Sequence, residues 1–149
     1  MNTLHLEDLS IGDTFASRPL TLSADDIKGF ARQFDPQPFH LDEATAQDSF
    51  FQGLAASGWH TAALSMRLLV ETLPLAGGVI GAGVELDWPQ PVRPGDTLSI
   101  RISIEDIRPS RSRPDRGIVH LLVSTLNQSG ALCQTMRAKV LAFRRPESA

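Results

Sequence analysis

At roughly 150 residues per domain, the 149 residues of this chain predict one domain, 1–149, large enough to bury a core without disulfides or a structural metal. Fourteen Lys and Arg stand against seventeen Asp and Glu, a net charge of -3, which supplies no basic field for nucleic acid. The single Cys133 and the absence of a basic-then-apolar leader point to a reducing, cytoplasmic setting. The uncharged run from Gly53 to Met66 is interrupted by Ser, Trp, His and Thr and is too short and too polar to span a membrane.

Leu6, Leu9 and Ile11 lead into Gly12-Asp13-Thr14-Phe15, a turn signal and a short strand. Ser23-Ala24-Asp25-Asp26 reads as a helix start. The Ser23 hydroxyl accepts from an unpaired amide, and two carboxylates face the positive end of the helix dipole. Ile27, Phe30, Ala31 and Phe34 follow at i, i+3, i+4 and i+7, one apolar stripe that Pro36 brings to an end. Pro36 and Pro38 then stiffen the loop from Asp35 to His40 by fixing two φ angles. A short helix from about Asp42 to Gln47 follows, and Gly53 breaks the pattern.

A second long helix is predicted from Gly58 to Leu73. Only Arg67 and Glu71 are charged in it, so nearly every face should contact protein. The period then changes to two. Val84, Leu86 and Trp88 alternate with acids, and Leu98, Ile100, Ile102 and Ile104 alternate with Ser99, Arg101, Ser103 and Glu105, the signature of a strand with one buried face. Ile118–Leu126 and Ala131–Phe143 form two more strands around the hairpin turn Asn127-Gln128-Ser129-Gly130. The pattern predicts an α+β fold, a curled antiparallel sheet around one apolar helix. Arg108, Arg111, Arg113 and Arg116 crowd one turn, either a solvated hairpin or an anion-binding loop.

The four histidines, His5, His40, His60 and His120, lack metal-site spacing, and no nucleotide-phosphate loop or nucleophile elbow is present. Cys133 lies in an alternating strand without an activating neighbour. The remaining chemical candidate is Asp35-Pro36-Gln37-Pro38-Phe39-His40. A carboxylate and a neutral imidazole converging on one water can orient it and accept its proton. On spacing alone a second reading stays open, in which Asp35 caps its loop and His40 merely opens the next helix. Past Gly53, Ser57-Gly58 opens the apolar helix. Unpaired amides there carry partial positive charge and can polarise a carbonyl, and Gly58 would allow close approach, unless it only fits the turn.

Phe34-Asp35-Pro36-Gln37-Pro38-Phe39-His40, Ala44 and Ala46, the run Gly53 to Thr61, and Pro91-Val92-Arg93-Pro94-Gly95-Asp96 together resemble the MaoC-like dehydratases, or (R)-specific enoyl-CoA hydratases. The resemblance covers nearly the whole chain and implies a hotdog fold, a curved antiparallel sheet wrapped around one long central helix. It also implies that Asp35 and His40 hold the water added to a 2-enoyl-CoA thioester and that the Gly58 amide, beside Ser57, binds the thioester carbonyl. Gln37 departs from the family's usual Asn and alters the loop's hydrogen bonding. No metal and no cofactor beyond the CoA thioester are implied.

Phe50 or Phe51 is a candidate limit on acyl-chain length, both being core residues in the alternative. Arg93 and the arginine-rich turn are candidate contacts for CoA phosphates. A curled sheet leaves free edges, so a homodimer or higher homo-oligomer is expected, and the resemblance implies an active site shared across the dimer interface. Two other functions remain compatible with such a domain. One is an acyl-CoA thioesterase, although the only acid of the central helix is Glu71, almost four turns from Gly58. The other is a non-catalytic acyl-CoA-binding subunit.

Overall fold

The computed structural model describes residues 2–147; residue 1 and residues 148–149, the ends of the predicted span, lie outside them. A 3-10 turn at Leu6–Asp8 precedes β1 (Thr14–Ala16) and β2 (Leu20–Thr21). Helix α1 (Ala24–Phe34) starts as the sequence predicts: Ser23 accepts from the Asp26 amide while the Asp26 carboxylate accepts from the Ser23 amide, a reciprocal cap. Then come α2 (Pro38–Leu41), α3 (Glu43–Gln47), α4 (Gly58–Thr72), β3 (Ile80–Asp87), β4 (Thr97–Pro109), β5 (Arg116–Leu126) and β6 (Leu132–Phe143).

The strands form a six-stranded antiparallel sheet in the order β1-β4-β5-β6-β3, with β2 also paired to β4. Its buried face carries Leu98, Ile100, Ile102 and Ile104 of β4, the alternation read from the sequence. Val119, Leu121 and Val123 of β5 and Met136, Ala138, Val140 and Ala142 of β6 continue this face, and Leu68, Leu69 and Leu73 at the end of α4 pack into it. This is the hotdog arrangement of a curved antiparallel sheet around a long helix. One polar pair crosses the core: the Ser65 hydroxyl donates to the Thr61 carbonyl and meets the Thr125 hydroxyl at 2.6 Å, so neither buried hydroxyl lacks a partner.

Three expectations need correction. The loop between the prolines is partly helical, because Pro38 stands at the first position of α2, where a missing amide hydrogen costs nothing and φ is already helical. The stripe of α1 is not wholly covered: Ile27 and Ala31 are buried, but Phe34 is 69% exposed and meets Phe30 at a tilt, ring centroids 5.1 Å apart. Helix α4 is covered on one side only. Trp59 is 61% exposed, and Ala63, Met66 and Val70 share its uncovered face. Strand β3 is a sheet edge, and its Ile80 and Val84 are exposed as well. The helix is apolar all round, yet one chain covers only half of it.

The arginine-rich turn joins β4 and β5, which pair as an antiparallel hairpin. Arg108 and Arg116 pair with Asp106 and Asp115 there. Among the described residues, no helix is long and apolar enough to cross a membrane.

Candidate active site

Helix α1 ends at Asp35 because Pro36 excludes helical backbone from the residue before it. The Asp35 amide still closes the last turn onto the Ala31 carbonyl, while its own backbone leaves the helical region at φ -152°, ψ 67°. Helix α2 then turns His40 inward, where it is 4% exposed. The His40 Nδ1 lies 2.6 Å from the Ala55 carbonyl oxygen. A carbonyl can only accept, so Nδ1 carries the hydrogen and Nε2 of the neutral ring is left as an acceptor. Nε2 stands 3.3 Å from Asp35 Oδ2.

Two acceptors facing each other repel unless a hydrogen lies between them or each accepts from one water. Asp35 is equipped to stay ionised. Burial raises its pKa, but donation from the Ser57 hydroxyl and the Gln37 amide, together with the charge of His40 whenever its ring is protonated, more than compensates, and the carboxyl lies below its ordinary value. The Gln37 departure gains a physical meaning here. Its side-chain Nε2 donates to Asp35 Oδ1 at 2.5 Å, so the longer amide folds back onto the acid of its own loop.

The helix α4 starts beside this pair. Ser57 caps it by accepting from the Trp59 amide. Gly58 is its first residue, an amide that no carbonyl of the helix can satisfy, and no acceptor meets it among the described residues. A cleft of about 530 Å³ reaches both His40 and Gly58 and is lined also by Thr61, Phe39, Phe51 and Trp88 among others. The reason for glycine at this position differs from the expected one. A Cβ on Gly58 would fall 2.7–2.9 Å from three atoms of the Trp88 indole. The space beside its Cα is filled by Trp88 and not left open to a ligand, although its amide remains free. Trp88 is in turn held by donation from its Nε1 to Gln134 Oε1 at 2.9 Å and by an edge-on contact with Trp59.

Of the residues singled out by sequence, Asp35, His40, Ser57, Gly58 and Phe51 therefore come together. Phe51 is half-buried, 5.1 Å from the Phe39 ring and 6.1 Å from His40. Phe50 stands at the rim, 94% exposed. Arg93 does not line the cleft, and its guanidinium is directed at the carbonyls of Phe51, Gly53 and Leu54. The arginine-rich turn does not line it within one chain either. Glu71, the acid of α4, is held far from Gly58 by Arg18 and Arg67. Sequence reasoning took Trp88 for a strand residue and missed its place in the wall. The signal was the Pro89-Gln90-Pro91 run immediately after it, which ends β3 before Trp88.

The curved antiparallel sheet around the central helix makes the chain a hotdog-fold protein. The chain belongs to the MaoC-like domain family, whose model matches residues 8–125. Its fold superposes on a MaoC-like dehydratase from Rhodospirillum rubrum with a TM-score of 0.95 at 59% identity, covering 97% of this chain and 99% of that one. It is 38% identical over 128 residues to an uncharacterized protein of Bacillus subtilis, covering 84% of this chain and 89% of the other. It is 32% identical over 114 residues to a 3-hydroxybutyryl-CoA dehydratase of Methylorubrum extorquens, covering 76% of this chain and 71% of that one. These relatives support a hydratase or dehydratase activity in general terms.

Proposed function

We propose that the protein is a carbon–oxygen lyase that adds water to, or removes it from, the C2–C3 double bond of a 2-enoyl-CoA thioester. The observation that carries this reading is the placing of two acceptors, Asp35 Oδ2 and His40 Nε2, 3.3 Å apart at a cleft that also contains the first amide of α4. One water donating a hydrogen to each acceptor would present its oxygen lone pair to C3. As the C3–O bond forms, the pair takes up a water proton. The double-bond electrons move through C2 onto the thioester oxygen, and a proton is then returned to C2. The Gly58 amide, at the positive end of the helix dipole, faces the charge that develops on that oxygen. By analogy with other oxyanion donors, such a contact is worth about 2.7–4 kcal/mol. The reaction uses no cofactor beyond the CoA thioester itself.

Hydrolysis of the thioester is disfavoured, because the only carboxylate of α4, Glu71, is engaged by two arginines away from the cleft. The uncovered side of α4 and the free edge of β3, with Trp59, Met66, Val70, Ile80 and Val84 exposed together, support a homodimer in which a second copy covers this face. Incubation with crotonyl-CoA, followed by loss of the conjugated absorbance and identification of the product, tests the reading. A 3-hydroxyacyl thioester supports it, and release of free thiol, or no reaction, overturns it.

A further inference from the structure

Arg93 is half-buried, yet among the described residues its guanidinium donates to carbonyls and not to a carboxylate. Its Nη1 donates to the Gly53 and Leu54 carbonyls at 3.0 and 3.3 Å, and its Nη2 donates to the Phe51 carbonyl at 2.5 Å. A charged donor gripping three carbonyls of one short loop is a strong local restraint. The arginine is itself anchored. Its backbone amide donates to Asp96 Oδ2 at 2.8 Å, and Gln128 Nε2 holds the other oxygen of that carboxylate at 2.9 Å. The gripped segment fits the guanidinium closely: Gly53 adopts φ 150°, and a Cβ there would sit 3.3 Å from Arg93 Nη1.

The residue that follows this segment is Ala55, whose carbonyl accepts from His40 Nδ1. The Ala55 amide is bonded to the Phe39 carbonyl, and the Ala56 amide to the Val92 carbonyl, so Ala55 is pinned from both sides. Resting on the hydratase reading above, we propose that Arg93 is a positioning residue. It fixes the 51–54 loop so that the Ala55 carbonyl holds His40 in the tautomer and orientation that leave Nε2 facing Asp35. Phe51, which the same guanidinium holds by its carbonyl, is kept in the cleft wall beside the His40 ring. Arg93 thus acts on the reacting water through the loop and not as a ligand of a CoA phosphate.

Two substrates separate these roles: crotonyl-CoA and crotonyl-pantetheine, which lacks the nucleotide phosphates. Arg93→Met is expected to lower kcat about 10- to 100-fold, the scale of a misplacement of about 1 Å, by the same factor on both substrates and with KM little changed. The His40 Nδ1 proton resonance, assigned by its loss in His40→Ala, is expected to broaden or vanish in the folded variant. Arg93→Lys, which keeps the charge but cannot fork across three carbonyls, should fall between wild type and Arg93→Met. Gly53→Ala should reproduce the effect in part with Arg93 intact, so the test survives if Arg93→Met does not fold.

A defect confined to crotonyl-CoA with a raised KM would assign the guanidinium to phosphate binding and overturn the proposal. So would a lowered melting temperature with kcat and the resonance unchanged, the mark of a purely structural role. If the wild-type protein hydrates neither thioester, the hydratase reading fails. The resonance still reports whether Arg93 positions His40.

Discussion

The two ends of α4 differ in kind. Its last turns place Leu68, Leu69 and Leu73 in a core shared with three strands, where position is set by close packing and a lost methylene is felt. Its first turn offers at Gly58 an amide with no partner among the described residues, a hydroxyl cap at Ser57 and a cleft lined by His40 and Trp88. Packing at the leucine end holds the polar end still, and unsatisfied donors can be kept at the mouth because the helix needs no further support there. One end of α4 is given over to packing, and the other borders the candidate site.

The sharpest way to break this division is at the polar end. Asp35→Asn and His40→Ala should each lower kcat for crotonyl-CoA hydration by about 10²–10⁴-fold, the usual scale of a positioned acid or base, while thermal melting shows them folded. Unfolding of either variant would place Asp35 or His40 among the stabilising residues instead. At the other end, Leu69→Ala should cost about 2–5 kcal/mol of stability, read from denaturant midpoints. Activity per folded molecule should be retained.

Gly58→Ala tests the junction. A methyl group at 2.7–2.9 Å from the indole must displace Trp88, with an overpacking cost of about 1–3 kcal/mol visible as a lowered melting temperature and altered Trp fluorescence. Wild-type fluorescence in this variant would mean that the indole does not pack against Gly58.

The smallest effect concerns pH. His60 stacks on Phe30 at 4.5 Å, and burial lowers its pKa below 6.5, with Asp26 opposing in part. Between the folded value and 6.5 the unfolded chain binds a proton that the folded chain does not, so stability rises with pH in that window. It is fully present above pH 6.5 and lost as the pH falls through the folded value. In His60→Phe that part of the slope should disappear from urea midpoints measured across this range, and an unchanged slope would move the effect to another group.

Much of this was readable in the chain because it is encoded locally. Pro36 ends α1, the Ile100-Ile102-Ile104 alternation gives β4 its buried face, Asn127 to Gly130 turns β5 into β6, and the Asp35 to His40 spacing marks the candidate site. The proline run after Trp88 marks the end of its strand, but which backbone Arg93 and Trp88 would meet was not readable. Their partners, Gly53 and Gly58, lie 40 and 30 positions earlier in the chain, and neither a guanidinium nor an indole announces which backbone it will meet. Phe34 and the outer face of α4 misled for a related reason. An apolar stripe records that a face avoids water, but not whether its cover comes from the same chain.

The two long helices, the three long strands with the buried face of β4, and the acid and imidazole with their spacing were set by the sequence alone, because periodicity and proline act over a few residues. Only the tertiary structure decided that His40 is held by the Ala55 carbonyl, that Trp88 fills the place of the missing Gly58 side chain, and that Arg93 grips a loop. These contacts depend on how distant segments close on one another, and that closure is set by the packing of the whole core.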